Sequence, residues 1–196
     1  MRVTVASRKG GTGKTSSAVF LAEAAARTGR TLLVDADPQG SALGWSTAAE
    51  DGLTATVIGL PTKALGRELR RLEGWQHVVI DTPPGEESHA VVRAAMSAAD
   101  VVLIPVAPTG LELDRLPGTL AMAEEVGVPA VVLLVRVRPT ASVAAVAEAL
   151  EELEVPTLAT RVPLREAIAS SFGDRPRDLF GYHDVWKELA EWLARR

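Results

Sequence analysis

The stretch VASRKGGTGKTS, residues 5–16, decides how the rest of the chain is read. It ends in Gly13-Lys14-Thr15 and has the composition of a phosphate-binding loop. The usual pattern G-x-x-x-x-G-K-[ST] fails at its first position, where Arg8 stands in place of glycine. Beside it, Lys9 is a second lysine five residues ahead of Lys14. Gly10, Gly11 and Gly13, with Thr12 between them, allow backbone N–H groups to close around an anion unobstructed by Cβ atoms. RVTVAS (2–7) reads as a strand entering the loop and the segment from Gly13 as a helix leaving it, so the helix N-terminus adds partial positive charge. In that setting Lys14 is expected to reach the β- and γ-phosphates of a nucleotide, the Thr15 hydroxyl to bind Mg²⁺, and Ser16 to bond an α-phosphate oxygen. The bland alternative, a glycine-rich turn with incidental lysines, requires strand, loop, Gly-Lys-Thr and helix to occur in order by chance.

Outward from the loop, short β-branched runs alternate with longer amphipathic stretches. TLLVDA (31–36), HVVIDT (77–82), DVVLIPV (100–106) and PAVVLLVRV (129–137) read as further strands, nearly continuous in apolar character, as for strands buried on both faces. Helices are predicted over 13–29, 62–73, 87–99, 116–127 and 142–153, with an amphipathic helix at 182–196. PTLATRVP (156–163) is a candidate last strand and GDRPRD (173–178) a loop. The alternation predicts an α/β fold of three layers, a parallel sheet covered by helices on both faces. At 196 residues it is expected to form a single domain over 1–196.

The charge is uneven. Net charge is −4, yet residues 1–30 carry Arg2, Arg8, Lys9, Lys14, Arg27 and Arg30 against Glu23, which suits that segment to anions. The absence of cysteine excludes disulfides, thiolate metal sites and iron–sulfur clusters. No apolar run reaches the ~18 residues of a membrane span and no leader-like segment precedes the first strand, so a cytoplasmic location is expected. Two strands end in acids: Asp35 and Asp37 in LLVDADPQGSA, and Asp81 in VVIDTPPG. A carboxylate that follows a buried run needs a partner, and Mg²⁺ is the obvious one.

RKGGTGKT, VDADPQGSA and VVIDTPPG, in this order, resemble the deviant Walker A, Walker A′ and Walker B motifs of the ParA/MinD family of ATPases, P-loop NTPases of the deviant Walker type. ADVVLIPVAPTGLELDRL (99–116) resembles the strand and proline-containing segment that follows in partition ATPases. The resemblance covers roughly the first 115 residues and implies ATP/ADP and Mg²⁺ as cofactors. It implies that Lys9 crosses a dimer interface to the partner's ATP phosphates, that Asp37 positions the attacking water, and that Asp35 and Asp81 support Mg²⁺, partly through water. In layout the chain is similar to the small, ParF-like partition ATPases. There the segment matching Pro105, Pro108 and Leu111 takes part in self-association, although a simple strand-to-helix turn explains the prolines equally well.

By the same resemblance the partners are a second copy in an ATP-dependent homodimer (or a higher assembly), non-specific DNA, and a small ParB-like DNA-binding adaptor. The implied function is plasmid or chromosome segregation, nucleoid-associated in the ATP state. Candidate DNA contacts are Arg136, Arg138, Arg161, Arg165, Arg175 and Arg177, but from Arg136 onward nine basic residues face ten acidic ones, so no bulk basic domain exists. VRVRP and TRVPL occupy the places where relatives hold adenine, which makes Arg136, Val162 and Pro163 the candidates, with no asparagine in the first. A MinD-like or other cargo-positioning ATPase is the alternative. Trp186, Trp192, Lys187, Arg195 and Arg196 would then serve a membrane helix, but Asp184, Glu188 and Glu191 oppose it, and no stable membrane insertion is expected. A dethiobiotin-synthetase-like ligase ranks third, since it needs neither Lys9 nor DADPQGSA.

Overall fold

Residues 1–138 and 141–196 are described by the structure, a computed structural model. The apolar runs form β1 (Arg2–Val5), β2 (Thr31–Asp35), β4 (His77–Asp81), β5 (Val101–Val106) and β6 (Ala130–Leu134), joined at one edge by β3 (Thr56–Gly59). The sheet is parallel with order β3-β2-β4-β1-β5-β6. Alternate residues of each run go to opposite faces, which is why the runs read as continuously apolar. Val3, Val5, Leu33, Val79 and Leu103 pack beneath α1 (Lys14–Ala26), α2 (Ser41–Ala48) and α9 (Tyr182–Ala194). On the other face, Leu32, Val34 and Ile80 meet α3 (Leu65–Arg71) and α4 (His89–Met96). There too Val102, Ile104, Val132 and Leu134 meet α4, α6 (Leu116–Glu125) and α7 (Ala141–Glu152). The three-layer expectation is met.

α1 is buried almost all round from Ser17 to Ala25, because α9 covers the side that the sheet does not. This explains its small, alanine-rich composition. Phe20 of α1 packs at 5.4 Å against Tyr182 of α9 and edge-on at 6.3 Å against Trp45 of α2. The lone acid of the first segment, Glu23, is also buried and accepts the Ala55 N–H at 3.0 Å, so it does not offset surface charge. Tyr182, Val185, Trp186 and Leu189 are buried, so the apolar face of α9 is already occupied by the core. Among the described residues no helix is long and apolar enough to cross a membrane.

Several elements depart from the sequence reading. β3 is a half-exposed edge strand of four residues without an apolar run. α2 carries Gly44 and two serines, a poor helical sequence that tertiary contacts hold in place. α5 (Gly110–Leu113) and α8 (Glu166–Ala169) are single turns. Residues 156–163 form no continuous strand. They follow β6 through parallel bridges at Val132–Thr157 and Val137–Pro163, with a break between.

Candidate functional site

Parallel register builds the site. Val5 at the end of β1 is level with Asp81 of β4, and Asp81 is level with Asp35 of β2. Residues level on neighbouring strands point to the same face, so two carboxylates stand side by side at the carboxyl end of the sheet. This is where ligands bind in open α/β sheets. Gly11 (φ 74°) and Gly13 (φ 84°) turn the loop after β1 through left-handed backbone that side chains disfavour. Gly13 caps α1 with no side-chain hydrogen bond, and α1 has no acid in its first turn. The N–H groups there are left for an anion. Thr12, fully buried, has a hydroxyl without a hydrogen-bond partner among the described residues.

Asp35 and Asp81 have different surroundings. Asp35 accepts the Asp37 N–H at 3.1 Å and the Leu43 N–H at 2.9 Å, one on each carboxylate oxygen. It thereby fixes both the Asp37 turn and the first turn of α2. Asp81 is fully buried, and neither oxygen has a partner of hydrogen-bond geometry among the described residues. Burial pushes its pKa up to about 7, opposed most by the Thr15 hydroxyl, with Asp35 adding to the rise and Lys14 resisting it. The Thr15 hydroxyl thus acts on Asp81 as a close dipole without completing a well-formed bond. An orphaned carboxylate facing a hydroxyl fits a hard cation that keeps water and phosphate oxygens as its other ligands. Mg²⁺ suits the donor set. Asp37 is half-buried, and its Oδ1 accepts the Gln39 N–H at 2.9 Å.

Both lysines of the loop are engaged within the chain. Lys14 is buried, and its Nζ donates to the Lys9 carbonyl oxygen at 2.8 Å. Burial lowers its pKa, against the pull of the Asp81, Asp37 and Glu112 charges. The Lys9 ammonium lies 2.7 Å from Oε1 of Glu112 in α5.

A cavity beside the loop is lined by Thr12, Gly13 and Ser16 on one side and by Arg136, Val162 and Pro163 on the other. The residues singled out for adenine are therefore brought against the phosphate loop. Arg136 has left-handed backbone (φ 56°), the kind of strain that collects at binding sites. Arg165 lines the same cavity. Arg175 donates to the Gly52 and Asp51 carbonyls, and Arg177 pairs with Asp51 at 3.1 Å, so these two DNA candidates are engaged within the chain. The Leu111 side chain, singled out for self-association, lies outside the described residues. The sequence reading missed Glu112 and the buried Ser17–Tyr182 hydroxyl pair at 2.8 Å. Glu112 sits in LELD, where no motif distinguishes it from Asp114; the final helix gave no hint of contact with α1 behind the loop.

Comparison with known proteins identifies a family and a shared fold. A family model described as the CobQ/CobB/MinD/ParA nucleotide binding domain matches residues 3–175. A maintenance of carboxysome distribution protein A from Gloeobacter kilaueensis is 42% identical over 70% of this chain and 63% of its own length. The chromosome-partitioning ATPase Soj from Thermus thermophilus is 34% identical over 64% of this chain and 62% of its own. The chain thus spans less than two thirds of either relative. In fold it is similar to a Cyanothece McdA variant solved with ATP, with TM-score 0.74 at 20% identity over 99% of this chain and 95% of that one.

Proposed function

The chain belongs to the CobQ/CobB/MinD/ParA nucleotide-binding domain family, and from that premise we propose that it is an ATPase that dimerises around Mg²⁺·ATP. The ATP state would hold DNA without sequence preference and act with a small ParB-like adaptor to segregate a plasmid or chromosome, in the cytoplasm and on the nucleoid. The observation that carries this reading is the register of Asp35 and Asp81 beside the loop, with no partner of hydrogen-bond geometry for Asp81 among the described residues.

In this proposal Gly10, Gly11, Thr12, Gly13, Lys14, Thr15 and Ser16 cradle the phosphates. Thr15 and Asp81 hold the metal, with Asp35 supporting it through water while ordering the Asp37 turn. Bound Mg²⁺ supplies neutralisation of phosphate charge. Asp37, on a half-exposed turn, orients the attacking water. Lys9 serves the partner's phosphates, so that ATP favours the dimer and its loss the monomer. Val162, Pro163 and Arg136 enclose the base. The occupied apolar face of α9 supports docking over a membrane anchor.

A second reading draws on the 42% identity to a carboxysome distribution protein. On that reading the same switch would position a different cargo.

Light scattering with Mg²⁺ and AMPPNP, together with ATP turnover, tests the switch. Lys9→Ala is expected to remain monomeric, and Asp37→Ala to dimerise but turn over at least ~10-fold more slowly. An unchanged dimer for the first, or normal turnover for the second, refutes the assigned role. An ATP-loaded dimer that stays off plasmid DNA at low salt refutes DNA retention.

A further inference from the structure

We propose that Glu112 is a positioning residue for Lys9, parking its ammonium on its own subunit until bound nucleotide releases it to the partner. The inference rests on the reading that Lys9 acts across the dimer.

The contact is well built for this. Lys9 Nζ and Glu112 Oε1 are 2.7 Å apart, and the side chains are 28% and 9% exposed. Compare Arg177–Asp51, whose side chains are 85% and 62% exposed and are screened by water. A charge-assisted bond with one partner nearly buried is held far more firmly. A lysine so held does not reach outward, so the pair competes directly with any role in trans.

The same contact is wired to the phosphate cradle. Lys14 Nζ holds the Lys9 carbonyl at 2.8 Å, so both ends of Lys9 are tied within the subunit. The Glu112 charge also acts on Lys14, which places the carboxylate in the field of the loop. A triphosphate entering the loop draws Lys14 away from the Lys9 carbonyl and repels the Glu112 carboxylate. Both ties loosen together.

Glu112 stands on α5, a single turn from Gly110 to Leu113. Its N–H donates to the Thr109 carbonyl at 3.1 Å, a local bond that lets the turn shift without disturbing β5.

Two measurements test the assignment on the full chain. The first is the dissociation constant of the Mg²⁺·AMPPNP dimer for wild type, Glu112→Gln and Lys9→Ala. Glu112→Gln is expected to tighten the dimer about fivefold per released lysine, or about 25-fold for the symmetric pair. The second is competitive amine labelling read by mass spectrometry, with the exposed Lys63 and Lys187 as internal standards. In nucleotide-free wild type, Lys9 should label several-fold more slowly than the standards, and in Glu112→Gln this protection should be lost while the thermal midpoint falls by no more than about 2–4 °C. Should Glu112→Gln fail to fold, wild type kept dilute enough to stay monomeric must show faster Lys9 labelling once Mg²⁺·AMPPNP is added. Glu112 is overturned as the parking residue if Glu112→Gln weakens the dimer, or if its dimer constant and Lys9 labelling stay within twofold of wild type. Unchanged Lys9 labelling in the dilute wild type on nucleotide addition overturns it as well. If instead Lys9→Ala dimerises as wild type does, the underlying trans reading fails.

Discussion

Replacing Asp81 with asparagine should stabilise the nucleotide-free protein at alkaline pH while removing the proposed metal ligand. In the unfolded chain the Asp81 carboxyl loses its proton near 3.8, whereas in the fold burial keeps it protonated up to about 7. Between these values the folded state binds the extra proton, so stability falls as pH rises through that window and levels off above about 7. A shift of about three units at 1.36 kcal/mol each gives an upper bound of about 4 kcal/mol, reduced by whatever water enters the site. Asparagine has nearly the shape of the protonated acid and never ionises, so it escapes this loss. Urea unfolding of both proteins from pH 4.5 to 8.5, without nucleotide or Mg²⁺, reads the difference directly. The gap should be smallest at the acid end, about 1 kcal/mol at pH 4.5, and widen by well over ~1 kcal/mol further by pH 8, with the variant more stable. Mg²⁺ with AMPPNP should then stabilise wild type at pH 8 and leave the variant almost unmoved. Parallel pH curves, or a variant weaker at pH 8, would refute the argument that Asp81 is an uncompensated buried charge.

Other perturbations probe the supports of the site. Asp35→Ala strands the Asp37 and Leu43 N–H groups and should cost about 2–4 kcal/mol in urea unfolding, as well as blunting turnover through the Asp37 turn. Gly13→Ala meets no close atom, the nearest being the Arg136 guanidinium at 3.9 Å, but its φ of 84° is strained for alanine. A loss of about 1–2 kcal/mol with weakened AMPPNP binding by calorimetry is expected. Tyr182→Phe leaves the buried Ser17 hydroxyl without its 2.8 Å partner and should lower stability by about 1–2 kcal/mol in thermal melts.

Much of the fold was legible because five strands are buried on both faces, which forces them to be continuously apolar, and because the loop turns through left-handed backbone that calls for glycine at Gly11 and Gly13. β3 and α2 were not legible. The first borrows its hydrogen bonds from β2 while half-exposed. The second takes its first turn from an acid six residues upstream of its start, Asp35, so that its own composition predicts little. Residues 156–163 have strand-like character, yet they pair through isolated bridges at Val132–Thr157 and Val137–Pro163, and Val162 and Pro163 line the cavity with Arg136.

Residue chemistry alone pointed to the class of ligand, through glycines suited to an anion, a lysine and hydroxyl beside them, and acids at strand ends. Which of those acids stands unpartnered was decided only by tertiary structure. Asp35 and Asp81 read alike in sequence, but one meets two backbone amides and the other none. The same holds for the two lysines. Spacing places Lys9 and Lys14 on one loop, where Lys14 meets the Lys9 carbonyl five residues back, whereas Lys9 meets Glu112, 103 residues further along the chain. Local sequence cannot encode a contact whose geometry depends on how β1 and β5 lie side by side in the sheet.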